Sequence, residues 1–202
     1  MHQTKCYAAH SDNTPLVNHT IYRREIGKKD IFIEIEFCGV CHTDYHYAKN
    51  DWGITRYPFI GGHEIIGVIK GLGEEVKDFN LGDRVAVGCF VNSCRNCNSC
   101  NNDFEQYCTE GLIKTYNDLI SDPGGHTFGG YSKSIVVDEH FVFSIPKSSV
   151  FIFLITFLNC LSGMKILIVF PYDLLIFCPS TPGTSIVFSF RLIFGSIRTS
   201  PY

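Results

Sequence analysis

Residues 31–37 read Ile31-Phe32-Ile33-Glu34-Ile35-Glu36-Phe37, apolar and acidic side chains in near alternation. That period of two predicts a half-buried β-strand. Residues 65–69, Ile65-Ile66-Gly67-Val68-Ile69, are apolar and, apart from Gly67, β-branched, which predicts a strand covered on both faces. Residues 84–88, Arg84-Val85-Ala86-Val87-Gly88, follow a Gly82-Asp83 turn and predict a third strand. Residues 131–137, entered through Gly129-Gly130, and residues 141–145 predict two more. One short helix is predicted at 43–50. Many short strands broken by glycine-rich turns predict a mainly β chain rolled into a compact barrel.

The pattern stops near Val150. Residues 151–202 carry Lys165, Asp173, Arg191 and Arg198 as their only charges, yet hold eight of the chain's 17 phenylalanines. Residues 148–164 are uncharged over 17 positions, the lower limit of a membrane-spanning helix. Asn159, Ser162 and Gly163 interrupt that run, Lys165 ends it, and Pro171 and Asp173 follow. A membrane anchor is therefore not expected. Residues 151–202 read instead as an apolar tail outside the fold, of the kind that intron-derived or frameshifted sequence gives.

Charge removes one further class. Seventeen basic against 20 acidic residues give a net charge of −3, and no Lys/Arg stripe marks a nucleic-acid face. At 45% apolar and 18% charged residues, the chain has the material for a packed core. The opening Met1-His2-Gln3-Thr4-Lys5 has no leader pattern. A reducing cytoplasm is expected, and there 10 cysteines point to metal rather than disulfides.

Cys94, Cys97, Cys100 and Cys108 form C-x2-C-x2-C-x7-C. Two-residue spacings let a tight turn aim successive thiolates at one tetrahedral zinc. The interleaved Asn96, Asn98, Ser99, Asn101 and Asn102 suit such turns and tolerate left-handed backbone. The segment has almost no apolar filling, so a metal is needed to fold it. An iron–sulfur centre is a poorer fit, because the proline-linked ferredoxin run is absent.

A second set is spread along the chain: Cys41, His63 and Glu64. Each alone has a bland reading, as a small buried thiol, a hydrogen-bonded histidine or a chance neighbour. The glycines of Gly62-His63-Glu64-x2-Gly67-x5-Gly73 mark places where backbone turns or approaches closely.

Cys38-Gly39-Val40-Cys41-His42-Thr43-Asp44, then Lys49-Asn50-Asp51-Trp52-Gly53, Tyr57-Pro58-Phe59 and Gly62-His63-Glu64 resemble the zinc-dependent medium-chain alcohol dehydrogenases. Within them the chain resembles the plant cinnamyl alcohol dehydrogenase group. The four-cysteine segment, Gly82-Asp83-x-Val85, Gly129-Gly130-Tyr131-Ser132 and residues 137–142 follow in the same order, so the likeness covers roughly residues 5–147. It implies a GroES-like, partly open β-barrel with short helices and a zinc lobe. It implies Cys41, His63 and Glu64 around a catalytic zinc, and Cys94, Cys97, Cys100 and Cys108 around a structural one. Thr43 and His46 would relay the alcohol proton, Asp44 would orient the His63 ring, and Trp52 would line the substrate entrance. Gly61 stands where the family has proline, a change expected to loosen the loop.

The family continues past Ile145-Pro146 into a domain with the fourth catalytic cysteine and a Rossmann fold. After Val150, Gly163, Gly183 and Gly195 lie too far apart for a G-x-G-x-x-G loop. Cys160 falls near the expected fourth ligand, but its neighbours match the family only faintly. NADP is implied by the resemblance alone, as is a small-molecule alcohol or aldehyde partner; the family's dimer is not implied. The expectation is a cinnamyl-alcohol-dehydrogenase-type oxidoreductase, truncated and weakly active or inactive. The alternative is a zinc-binding barrel module without catalysis.

Overall fold

The strand predicted at 31–37 lies at the centre of the molecule, as part of the longer β3 (Asp30–Cys41). The structure, a computed structural model, describes residues 1–121 and 123–145 and the backbone of residues 166–169. Ile31 and Ile33 are buried, while Glu34 and Glu36 face outward. On one side β3 pairs antiparallel with β4 (Ile65–Leu72), with register shifts after Phe32 and Ile35. Its other edge is shared. Residues 30–34 pair with β8 (Ser134–Asp138) and residues 38–41 with β10 (Ile166–Val169). From β4 the sheet continues through β5 (Arg84–Val87) to β9 (Val142–Ser144). Among the described residues this six-stranded sheet does not close on itself, so the fold is mainly β and the barrel open.

β4 departs from expectation on one point. Ile65, Gly67 and Ile69 are buried, but Ile66 and Val68 are only half-buried. One face packs on Ile31, Ile33, Val85, Val87, Ile135 and Val137. Each such side chain contributes about 1.5–3 kcal/mol when fully buried, and this layer is the main core.

A hairpin that hydrophobic patterning did not reveal lies to one side, β1 (His2–Ala8) paired with β2 (Val17–Arg23). Its inward positions Thr4, Cys6 and Ala8 are small or polar, which is why no apolar alternation betrays it. It packs on Ile60 and Phe128. The predicted helix is α1 (His42–Ala48), directly after β3. Tyr47 of α1 joins Phe59 and Tyr116 in a third apolar cluster. Two short strands, β6 (Phe90–Asn92) and β7 (Ile113–Lys114), pair with each other and close the base of the four-cysteine segment.

The expected tail contributes β10 to the main sheet. The remainder of residues 151–202, Cys160 included, lies outside the described residues. No helix among the described residues is long and apolar enough to cross a membrane.

Candidate metal centres

Between β6 and β7 the chain leaves the sheet and returns as a lobe. Its four cysteine sulfurs all lie within 4.8 Å of one another. Cys97 Sγ is 3.5 Å from Cys100 Sγ, and Cys94 Sγ is 3.9 Å from Cys100 Sγ. A ZnS4 tetrahedron with Zn–S near 2.3 Å has sulfur–sulfur edges of about 3.8 Å, so the spacing fits that ion. Backbone amides aim at the sulfurs. Cys97 N–H and Asn96 N–H approach Cys94 Sγ, Cys100 N–H approaches Cys97 Sγ, and Cys94 N–H approaches Cys108 Sγ, at 3.4–3.5 Å. Such donors favour thiolate. The Cys100 amide, then that of Thr109, holds Cys97 down to about 5. The Cys94 amide likewise lowers Cys108. At Cys100 the Ser93 contact favours thiolate, but burial and hydrogen bonding with Cys97 and Cys108 prevail and push it up to about 11.

The left-handed turns fall on Arg95 (φ 58°) and Asp103 (φ 60°), not on the asparagines expected there. Arg95 is held in that conformation from outside the lobe. Its guanidinium meets Asp138 at 2.9 Å and Asn92 Oδ1 at 3.0 Å, and lies over the Phe141 ring. His140, assigned no role from sequence, reaches Glu105 Oε1 at 2.6 Å. Two polar contacts therefore clamp the lobe to the turn between β8 and β9.

The His140 hydrogen bond holds the Glu105 carboxyl below its ordinary 4.5. A depressed carboxylate contributes stability above its unfolded pKa and loses it as pH falls through the folded value. His140→Ala should therefore lower the melting temperature at pH values above the ordinary glutamate pKa of 4.5, where the Glu105 carboxyl is ionised. Melting curves at decreasing pH should show the gap to the parent chain closing below about 4.5. A constant gap would refute the clamp.

The second set is assembled by the core. β3 ends at Cys41, β4 begins just after His63 and Glu64, and their pairing brings the two ends together. The ligand atoms of Cys41, His63 and Glu64 lie within 4.8 Å of one another. Glu64 Oε2 is buried and has no hydrogen-bond partner among the described residues. Burial raises this carboxyl to about 6, against the pull of His63. Gly39 makes room for it, since a Cβ there would overlap Glu64 Oε2. An orphaned carboxylate oxygen beside a thiol and an imidazole is a donor set that zinc satisfies. By this test the residues fit the metal.

Asp44 sits at the hub of that set. Its carboxylate accepts from Cys41 N–H (2.8 Å), Gly62 N–H (2.8 Å) and Tyr131 O–H (3.0 Å). It thereby ties both ligand-bearing segments to one buried side chain. Ring orientation at His63 comes from a residue not anticipated: Tyr116 stacks on it at 5.2 Å and 12°. Tyr116 is buried against Tyr47 and Phe59, and burial, with the Asp44 charge, keeps its hydroxyl protonated. No sequence motif signalled Tyr116, because it follows the lobe and reaches His63 only through tertiary packing. At Gly61 the loop is tied to the segment after Gly130, its carbonyl accepting from Tyr131 N–H at 3.0 Å.

Thr43 and His46 both lie on α1. Thr43 Oγ1 is 3.5 Å from Cys41 Sγ, beside the candidate metal. His46 Nδ1 is 2.7 Å from Asp51 Oδ2, so Asp51 fixes the ring. Trp52 is half exposed, with its ring against His46 and Tyr47.

Residues 27–147 match the alcohol dehydrogenase GroES-like domain. The NADP-dependent alcohol dehydrogenase C of Mycobacterium bovis is 51% identical over 146 residues, 72% of this chain and 42% of that protein. A cinnamyl alcohol dehydrogenase structure from Sorghum bicolor superposes with a TM-score of 0.69 at 39% identity, over 72% of this chain and 41% of that one. The CAD of Helicobacter pylori, solved as a complex with NADP(H), gives 0.68 at 43% identity, over 72% and 42%. The chain thus spans about two-fifths of the length of the relatives it matches. It belongs to the zinc-dependent alcohol dehydrogenase family, in the cinnamyl alcohol dehydrogenase-like group, and carries that family's GroES-like domain.

Proposed function

We propose that residues 5–147 are the metal-binding, alcohol-presenting domain of an oxidoreductase of the cinnamyl alcohol dehydrogenase type, interconverting aromatic or allylic alcohols and aldehydes with NADP(H). The observation that carries this reading is the Cys41, His63 and Glu64 cluster with its buried, unpartnered carboxylate oxygen. These three residues would hold one zinc, and Cys94, Cys97, Cys100 and Cys108 the other. Zinc at the first set supplies Lewis-acid polarisation of an alcohol oxygen. The protein's own part is proton handling and orientation. Thr43 Oγ1 accepts the hydroxyl proton and passes it to His46, whose other ring nitrogen Asp51 holds. Trp52 offers an aromatic wall at the entrance. The choice of NADP rests on the relatives, one named NADP-dependent and another solved with NADP(H). A cytoplasmic setting belongs to the same reading, since a reducing compartment keeps the metal-ligating cysteines available to zinc.

The 202 residues contain no G-x-G-x-x-G loop. For that reason the chain by itself is expected to load metal but turn over weakly. Two zinc ions per purified chain, falling to one in Cys41→Ser, are the expected result of metal counting. One zinc in the parent chain, unchanged in Cys41→Ser, would overturn the reading. Cinnamyl alcohol oxidation with NADP separates the two functional readings. Turnover at the buffer blank with both metals loaded would favour a zinc-binding module without catalysis.

A further inference from the structure

We infer that Arg23 is a positioning residue for the Cys41, His63 and Glu64 metal site; this rests on the reading of that site given above. Arg23 ends β2, far in sequence from every ligand, and is buried. Its guanidinium donates from Nε to Ser134 O (3.0 Å) and from Nη1 to Phe128 O (2.6 Å). Nη2 donates to Gly129 O (2.9 Å) and Ser132 Oγ (2.8 Å). All four acceptors belong to the single segment 128–134. A planar guanidinium with fixed donors sets the course of that backbone in a way that a single ammonium does not.

The clamped segment lies directly against the ligands. Gly129 N–H donates to Ile60 O at 2.8 Å, Gly130 N–H to Gly62 O at 2.8 Å, and Tyr131 N–H to Gly61 O at 3.0 Å. Those carbonyls immediately precede His63 and Glu64. A Cβ on Gly129 would overlap the carbonyls of Gly61 and Gly62, so the two segments approach as closely as backbone allows. Tyr131 then delivers its hydroxyl to Asp44, which also holds the Cys41 amide. A shift of segment 128–134 therefore moves the His63 and Glu64 side of the site and loosens the Asp44 tie to Cys41. The four-thiol lobe is anchored elsewhere, through Arg95 and His140, and serves as an internal reference.

The test is cobalt titration of the full 202-residue chain and its Arg23→Lys variant. The thiolate-rich lobe and the mixed S, N, O site have separable absorption bands. Arg23→Lys should weaken cobalt at the mixed site by roughly tenfold or more, the usual effect of losing a supporting contact, and shift its d–d bands. Lobe affinity and the far-UV spectrum should stay unchanged. Hydrogen exchange at the amides of Gly129, Gly130 and Tyr131 should quicken. Should Arg23→Lys fail to fold, Ser132→Ala removes one of the four acceptors and should give the same pattern more weakly. Mixed-site affinity, bands and exchange equal to the parent in whichever variant folds would overturn the inference alone. A parent chain that takes up cobalt only in the lobe would overturn the site reading and the role of Arg23 together.

Discussion

Replacing Cys97 with serine is expected to unfold the lobe between β6 and β7 while leaving the sheet standing. Within that lobe Cys100 is the only buried residue, and Phe104 and Tyr107 are largely exposed. Almost no apolar burial is available to replace the metal. In small metal-folded modules a structural zinc supplies about 10–16 kcal/mol of apparent binding energy, far more than a few half-buried contacts. Serine cannot substitute, since its hydroxyl does not ionise near neutral pH and its oxygen is a poorer partner for zinc. The Cys100 amide now directed at the Cys97 sulfur would also lose the charge it stabilises. Zinc affinity at this site should fall roughly a thousandfold or more. Lobe amides should exchange at nearly unprotected rates, while those of β3 and β4 stay slow. A Cys97→Ser chain that still holds lobe zinc through a chelator wash would show that the metal does not fold this segment.

Asp44→Ala is expected to have the second large effect, reaching both stability and metal. The carboxylate is buried and satisfies three donors, the amides of Cys41 and Gly62 and the Tyr131 hydroxyl. Alanine strands all three. An unsatisfied buried donor costs about 1–3 kcal/mol, so a total loss of about 3–5 kcal/mol is reasonable after partial relaxation. That is a large share of the roughly 5–15 kcal/mol stability of a typical domain. The same three bonds tie the end of β3 to the segment that carries His63, so the mixed metal site should weaken roughly a hundredfold. Asp44→Asn should fall between, because its amide group retains one acceptor oxygen but turns N–H toward donors. Denaturant midpoints and zinc affinity measured on the three chains provide the check. An Asp44→Ala chain with parental stability and parental affinity would refute the hub.

Local features of the sequence determined a good deal. The alternation at 31–37 located one central strand, because one-face burial writes a period of two into the chain; the β-branched run at 65–69 located the other, because such side chains suit a pleated, packed surface. The C-x2-C-x2-C-x7-C spacing located the lobe, because sulfur geometry around one ion is set within a few turns of backbone. Cys41, His63 and Glu64 were legible through the motifs around them, and the fold brings their donor atoms together.

What only the tertiary structure decided is how these pieces are held. The β1–β2 hairpin was hidden because its inward positions, Thr4, Cys6 and Ala8, are small or polar. The stacking of Tyr116 on His63, the two contacts through Arg95 and His140, and the reach of Arg23 into segment 128–134 join residues far apart in the chain. Asp44, expected from the resemblance to orient the His63 ring, ties the end of β3 to the segment before His63. A ligand's identity is a property of one side chain and its near neighbours, so sequence carries it. A ligand's position depends on hydrogen bonds and packing between segments that meet only when the chain folds.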